Sequence, residues 1–151
     1  AYRAVDWRIL FLIFGMLGLG AALEKTSGID WLASHLISVL GGNQPVLVIS
    51  GIVLLTSLLT TFLSNNAVAV VMTPIVLEMA HHLELSTKPF LIAVAIGASA
   101  CFASPVGYQT NALVYSAGGY KFSDFVKVGL PLNLLIWLVA SLVIPWLWPL
   151  K

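Results

Sequence analysis

Long apolar runs separated by short polar clusters set the pattern of the chain. Ile9–Leu23, Trp31–Leu77, Pro89–Tyr120 and Val128–Leu150 contain no Asp, Glu, Lys or Arg. About 20 apolar residues cross a bilayer core as a helix. The first and last runs therefore predict membrane spans over residues 9–24 and 123–149. Trp31–Leu40 is too short to cross. Its apolar Leu32, Leu36, Val39 and Leu40 alternate with polar Ser34, His35 and Ser38. This predicts an amphipathic helix over residues 30–41, capped by Asp30, lying flat in the interface with His35 at the surface. Gly41-Gly42-Asn43 reads as a turn, and Pro45 suits the first position of the next helix.

Polar clusters interrupt the two middle runs. Ala100–Asn111 reads A-C-F-A-S-P-V-G-Y-Q-T-N, where Pro105 removes a backbone donor and Gly107 relaxes the chain. This predicts a broken helix over residues 89–118 with an unwound loop at 104–111, resuming at Ala112. The other cluster is Thr60-Thr61-Phe62-Leu63-Ser64-Asn65-Asn66. One reading is a tight turn between two complete spans. The other is a re-entrant hairpin over residues 45–80, with its tip at 64–66. As straight helix, Pro45–Leu63 would run about 28 Å. That exceeds half a bilayer, so the arm would tilt strongly or begin outside the hydrocarbon. Broken backbone at membrane depth survives only against protein or a wet cavity. The two tips are therefore expected to meet near the midplane and satisfy each other.

Composition agrees with a membrane protein. The 151 residues are 60% hydrophobic and 9% charged, with mean hydropathy +1.01, whereas a soluble domain is about a quarter charged. A net charge of +1 gives no nucleic-acid surface. Cys101 is the single cysteine, read as a small buried hydrophobe, and excludes an intrachain disulfide. His81 and His82 are adjacent and diverge by about 100° on a helix, so they read as solvated rather than as metal ligands. The chain starts at Ala1 without a basic leader and looks like a piece of a longer polypeptide. Arg3, Arg8, Lys121 and Lys127 fall on one side of the predicted topology, and Lys25, Lys88 and Lys151 on the other. The positive-inside rule then places Ala1 in the cytoplasm and Lys151 outside.

The clusters offer hydroxyl, carboxamide and carbonyl oxygens, and no charge. Such oxygens suit a hard cation such as sodium, and the helix starts expected at Ala67 and Ala112 suit an anion. Ser64, Asn65 and Asn111, with carbonyls near Thr60, Ser104 and Gly107, are the expected sodium ligands. The four apolar runs hold no Asp or Glu for a proton relay. A hydrolase using Ser64 or Ser104 would need a base within reach, and the three histidines fall at predicted interfaces.

L-L-T-T-F-L-S-N-N-A, S-P-V-G-Y-Q-T-N-A-L-V-Y and G-G-Y-K-F-S-D-F-V-K-V-G-L-P-L-N resemble the divalent anion:sodium symporter family of the ion transporter superfamily. The likeness is to its C-terminal inverted repeat and covers nearly the whole chain. The opening A-Y-R-A-V-D-W-R and A-L-E-K-T-S-G resemble a bacterial branch with potassium-uptake-type regulatory domains. The resemblance implies an all-α integral membrane fold over residues 1–151, with one re-entrant hairpin and one discontinuous helix. It implies sodium-coupled symport of a dicarboxylate or sulfate, with Na+ as coupling ion and no organic cofactor. The implied setting is a bacterial inner membrane. The N-terminal repeat of the same polypeptide is the implied partner, and a homodimer is a candidate assembly. The family's Ser-Asn-Thr tip falls on Ser64, Asn65 and Asn66, with Asn in the third place. The unwound loop reads G-Y-Q-T-N where the family has A-T-P-P-N. Asn66, Gln109 and Thr110 thus join Ser64, Asn65 and Asn111 as substrate-facing positions, and sulfate becomes a rival to a dicarboxylate. An antiporter or metalloid exporter of the same fold is the alternative. A non-transporting scaffold would leave the two polar breaks unexplained.

Overall fold

Residues 11, 14, 15, 18, 22, 25–40 and 44–150 are described by the computed structural model. Between residues 28 and 147 they form six helices, with no strand among the described residues. These are α1 (Gly28–Leu40), α2 (Pro45–Thr60), α3 (Asn65–His82), α4 (Thr87–Ser99), α5 (Gln109–Gly118) and α6 (Phe122–Leu147). The expected span over residues 9–24 falls largely outside the described residues. So do the Gly41-Gly42-Asn43 turn and the charges Arg3, Arg8 and Lys151.

Helix length sorts the elements. At 26 residues, α6 is the one described helix long and apolar enough to cross a membrane alone. With 16 and 18 residues, α2 and α3 rise about 24 and 27 Å. Pro45 holds the first helical position of α2, where its missing N–H costs nothing. Pro74 lies inside α3, and the neighbouring Thr73 hydroxyl donates to the Ala69 carbonyl at 2.6 Å. The α3–α4 turn closes with Glu84 at φ +53°, and the Leu85 N–H donates back to the Ala80 carbonyl at 3.0 Å.

The core gathers around α4, which packs on α2 and α3 and more lightly on α6. Ile49, Ile52 and Val53 of α2, Val76 and Met79 of α3, Phe90 and Ala93 of α4 and Ile144 of α6 are fully buried. The α2–α4 crossing is close. A Cβ on Gly97 would stand 2.8 Å from Thr56 Cβ and 2.9 Å from the Val53 carbonyl. Thr56 Oγ1 is buried there without a hydrogen-bond partner. A second seam joins α6 to α2: Trp137 Nε1–H donates to the Ser50 carbonyl at 3.0 Å, and Ser141 Oγ lies 2.9 Å from Ser50 Oγ. The rest of α6 is bare, with 17% of its most apolar stretch buried.

The amphipathic α1 turns Ala33, Leu36, Ile37 and Leu40 to the core. Its exposed face carries Trp31, stacked on His35 with ring centroids 5.5 Å apart. Its axis from Trp31 lies at 105° to that of α2.

Both polar breaks sit differently from the positions expected. The turn occupies residues 61–64, and Asn65 and Asn66 already belong to α3. Ser64 explains the early start. It is the N-cap, and its hydroxyl accepts the Ala67 N–H at 3.3 Å. The second break covers residues 100–108 rather than 104–111, and α5 resumes at Gln109 rather than Ala112. Proline chemistry alone would end the helix near Ser104. Instead α2 takes over the last carbonyls of α4. Ser57 donates to the Ala100 carbonyl at 3.0 Å, and Thr60 lies 3.2 Å from that of Ala98. With those acceptors satisfied from outside, the helical ladder has no need to continue.

Candidate functional site

The turn 61–64 and the unwound segment 100–108 are in direct contact. Asn65 N–H donates to the Gly107 carbonyl at 3.4 Å, and the Cys101 thiol donates to the Thr60 carbonyl at 3.1 Å. Gly107 permits this approach. A Cβ there would collide with the Thr60 carbonyl and the Cys101 sulfur. The helix end, the cap and the loop thus share one hydrogen-bond system, although about 40 residues separate them in sequence.

Each strand of that system has an identifiable support. Asn111, in the first turns of α5, donates Nδ2 to the carbonyls of Cys101 at 2.7 Å and Ser104 at 3.2 Å. Its amide stands in for the helical bonds the segment has lost, and its Oδ1 carries no bond within the described chain. Ser104 is 2% exposed, and its hydroxyl accepts the Val106 N–H at 3.1 Å. From α6, Asn133 Oδ1 accepts the Phe102 N–H at 3.2 Å. Gly129, one turn earlier, lets the Phe102 carbonyl and Ala103 nitrogen lie against the α6 backbone.

Thr60 is the junction. Its Oγ1 lies 2.6 Å from Asn65 Oδ1 and 3.2 Å from the Ala98 carbonyl. One hydroxyl proton cannot serve two acceptors fully. The Asn65 contact is the shorter and fits O–H···O, so the proton goes mainly to Asn65 Oδ1 and the Ala98 carbonyl is the weaker acceptor. Asn65 Oδ1 keeps a second lone pair and Asn111 Oδ1 is open, so both carboxamide oxygens can meet a ligand.

Among the expected residues, the network joins Thr60, Asn65, Ser104, Gly107 and Asn111. Ser64 contacts it as the cap of α3. Asn66 and Thr110 are exposed beside it, on the first turns of α3 and α5. Gln109 opens α5, and its side chain lies outside the described residues. The sequence reading missed Ser57, Cys101, Gly129 and Asn133 as parts of the site. Only Asn133 gave a usable signal, as a lone carboxamide in an apolar span.

Electrostatically the site is built from neutral dipoles. No Asp, Glu, Lys or Arg lies between residues 31 and 77 or 89 and 120. The first turn of α5 has no side-chain cap, which leaves backbone N–H groups for an anion. The oxygens of Asn65, Asn111 and nearby carbonyls suit a hard cation. Among the described residues no group of three or more His, Cys, Asp or Glu could hold a transition metal. His81 and His82 stand exposed at the far end of α3, where His82 Nε2 lies 3.7 Å from Glu78 Oε1.

A family model described as CitMHS, citrate transporter, matches residues 1–149. An uncharacterized transporter of Synechocystis is 40% identical over 95% of the chain, which spans 23% of that relative. The uncharacterized transporter YfbS of Escherichia coli is 38% identical over 99% of the chain, here 24% of the relative. A protein named probable sodium/sulfate cotransporter 3, from Chlamydomonas reinhardtii, is 33% identical over 95% of the chain and 16% of its own length. The chain thus spans a quarter or less of each of these relatives.

Proposed function

The chain belongs to the citrate transporter family, a family of membrane transporters, and from that premise we propose that it forms one inverted repeat of a sodium-coupled anion symporter. In this reading α2 and α3 are the arms of a re-entrant hairpin with its turn at residues 61–64. The helix α4–α5, broken at 100–108, faces that turn at the bilayer midplane. Asn65, Asn111 and carbonyls of Thr60, Ser104 and Gly107 take sodium, with Ser64 supporting the turn. The open N-terminus of α5 and the polar side chains Asn66, Gln109 and Thr110 take the anion. Each ion lowers the cost of burying the other.

One observation carries the reading: the contact of the two breaks through Asn65–Gly107 and Cys101–Thr60. Either break alone would leave backbone groups unsatisfied in hydrocarbon, at several kcal/mol per group. The anion is a divalent oxyanion. Sulfate is favoured over a dicarboxylate because similar proteins carry sodium/sulfate cotransporter names. In a bacterial inner membrane α1 lies in the interface, residue 1 is cytoplasmic and residue 151 outside.

Uptake of labelled sulfate and succinate by the full-length protein, with and without sodium, tests this. Sodium-dependent uptake of either is the expected result. Asn65→Ala and Asn111→Ala are expected to raise the sodium concentration for half-maximal uptake. Sodium dependence unchanged in both variants would remove these residues from the site.

A further inference from the structure

A cavity of about 230 Å³ lies between α5 and α6 and ends on the site just described. Asn111 and Phe102 form one part of its wall, and Tyr120, Asp124 and Phe125 another. Asp124 is partly buried in the first turn of α6, and its Oδ2 accepts the Lys121 N–H at 2.9 Å. Its Oδ1 is not engaged in that bond. Among the described residues Asp124 is the only formally charged one lining the cavity, while Lys121 and Lys127 are exposed and do not line it. The wall is otherwise largely apolar, and three of its side chains are aromatic. Aromatic faces attract cations and repel anions.

We infer that this cavity is the passage by which the coupling cation travels between Asn111 and the aqueous face carrying the α5–α6 loop, with Asp124 holding the cation at its mouth. The inference rests on the sodium-symport reading and adds a route and a side to it. A carboxylate and three aromatic rings exclude the anionic substrate from the same route, so the two ions leave the site by different paths. The Asn111 amide donors are spent on the Cys101 and Ser104 carbonyls, which leaves its Oδ1 as the group that can meet a cation arriving through the cavity.

The experiment uses the full-length protein in proteoliposomes, with sodium varied on each side separately. Asp124→Asn keeps an oxygen to accept the Lys121 N–H and removes the charge. It is expected to raise the half-maximal sodium concentration on the loop side about fivefold, the scale of one unit charge a few ångströms away in water. The effect is expected to shrink at high ionic strength, and the opposite side to be unchanged. Equal shifts on both sides, or none, would overturn the passage while leaving symport standing. A wild type without sodium dependence would remove symport and the passage together. Independently, Leu132→Cys places a thiol in the same wall. A cationic methanethiosulfonate added from the loop side is expected to modify it and stop transport, with no effect on the wild type. Failure of that modification would equally overturn the passage.

Discussion

Asn133, within the one described helix of membrane length, accepts the backbone N–H of Phe102 at 3.2 Å. That N–H belongs to a segment without helical partners, so the carboxamide is its only acceptor among the described residues. Asn133→Leu keeps the side-chain size and orphans the donor, at a cost of about 1–3 kcal/mol. Asn133→Gln keeps a neutral acceptor oxygen. Thermal unfolding of the detergent-purified full-length protein is expected to fall clearly for the first variant and less for the second. An equal loss in both would show that the bond to the Phe102 N–H is not what Asn133 contributes.

Gly107 and Gly119 predict two different kinds of intolerance. Gly107 faces the Thr60 carbonyl and the Cys101 sulfur with no room for a Cβ. Gly107→Ala is expected to push the two breaks apart and abolish transport, with an overpacking cost of about 1–3 kcal/mol. Gly119, by contrast, has open space around it and a φ of +64°. There the restriction is conformational, so Gly119→Asn is expected to retain transport where Gly119→Val loses it. Uptake assays on the three variants separate the two causes.

Thr56 and Thr60 lie one turn apart on α2 and answer oppositely to the same change. Thr56 Oγ1 is buried without a partner, while Thr60 Oγ1 meets Asn65 and Ala98. Removing an orphaned hydroxyl at constant shape recovers its desolvation cost, about 1 kcal/mol or more, whereas removing a bonded one leaves its partners unsatisfied. Thr56→Val is expected to raise the thermal midpoint and leave uptake intact. Thr60→Val is expected to lower both, and Thr60→Ser to restore most of the loss.

Glu84 holds a left-handed turn at φ +53° between α3 and α4. A non-glycine residue there costs roughly 1–2 kcal/mol. Glu84→Gly is expected to recover part of that energy, offset by the greater freedom glycine has when unfolded. A thermal midpoint equal to or above that of the wild type checks it, with transport unchanged because the turn is remote from the site.

The two helix breaks that form the candidate site were legible because proline, glycine and paired asparagines are rare in uncharged apolar runs. Pro105 and Gly107 announced one break, and Ser64-Asn65-Asn66 the other. Their exact limits were not legible. The end of α4 at Ser99 depends on Ser57 and Thr60, some 40 residues upstream, which supply hydrogen bonds that no local pattern reveals. The same holds for Gly129, whose value lies in what packs against it. The start of α3 was in principle readable, since Ser64 is a strong N-cap and could have placed Asn65 on the helix. The interplay of Cys101 with the Thr60 carbonyl gave no signal, because a small buried thiol looks the same whether or not it donates.

The bond from Trp137 to the Ser50 carbonyl makes the chain its own optical gauge. The indole N–H is fixed to α2 at 3.0 Å, while its ring sits on α6. Any sliding of one helix along the other breaks that bond and changes the polarity around the ring. Indole emission shifts with both. With every other tryptophan of the full-length protein replaced by phenylalanine, Trp7, Trp31, Trp146 and Trp148 among them, the light from Trp137 would follow the α2–α6 seam in real time. A spectral step on adding sodium or sulfate would time the rearrangement without any attached dye.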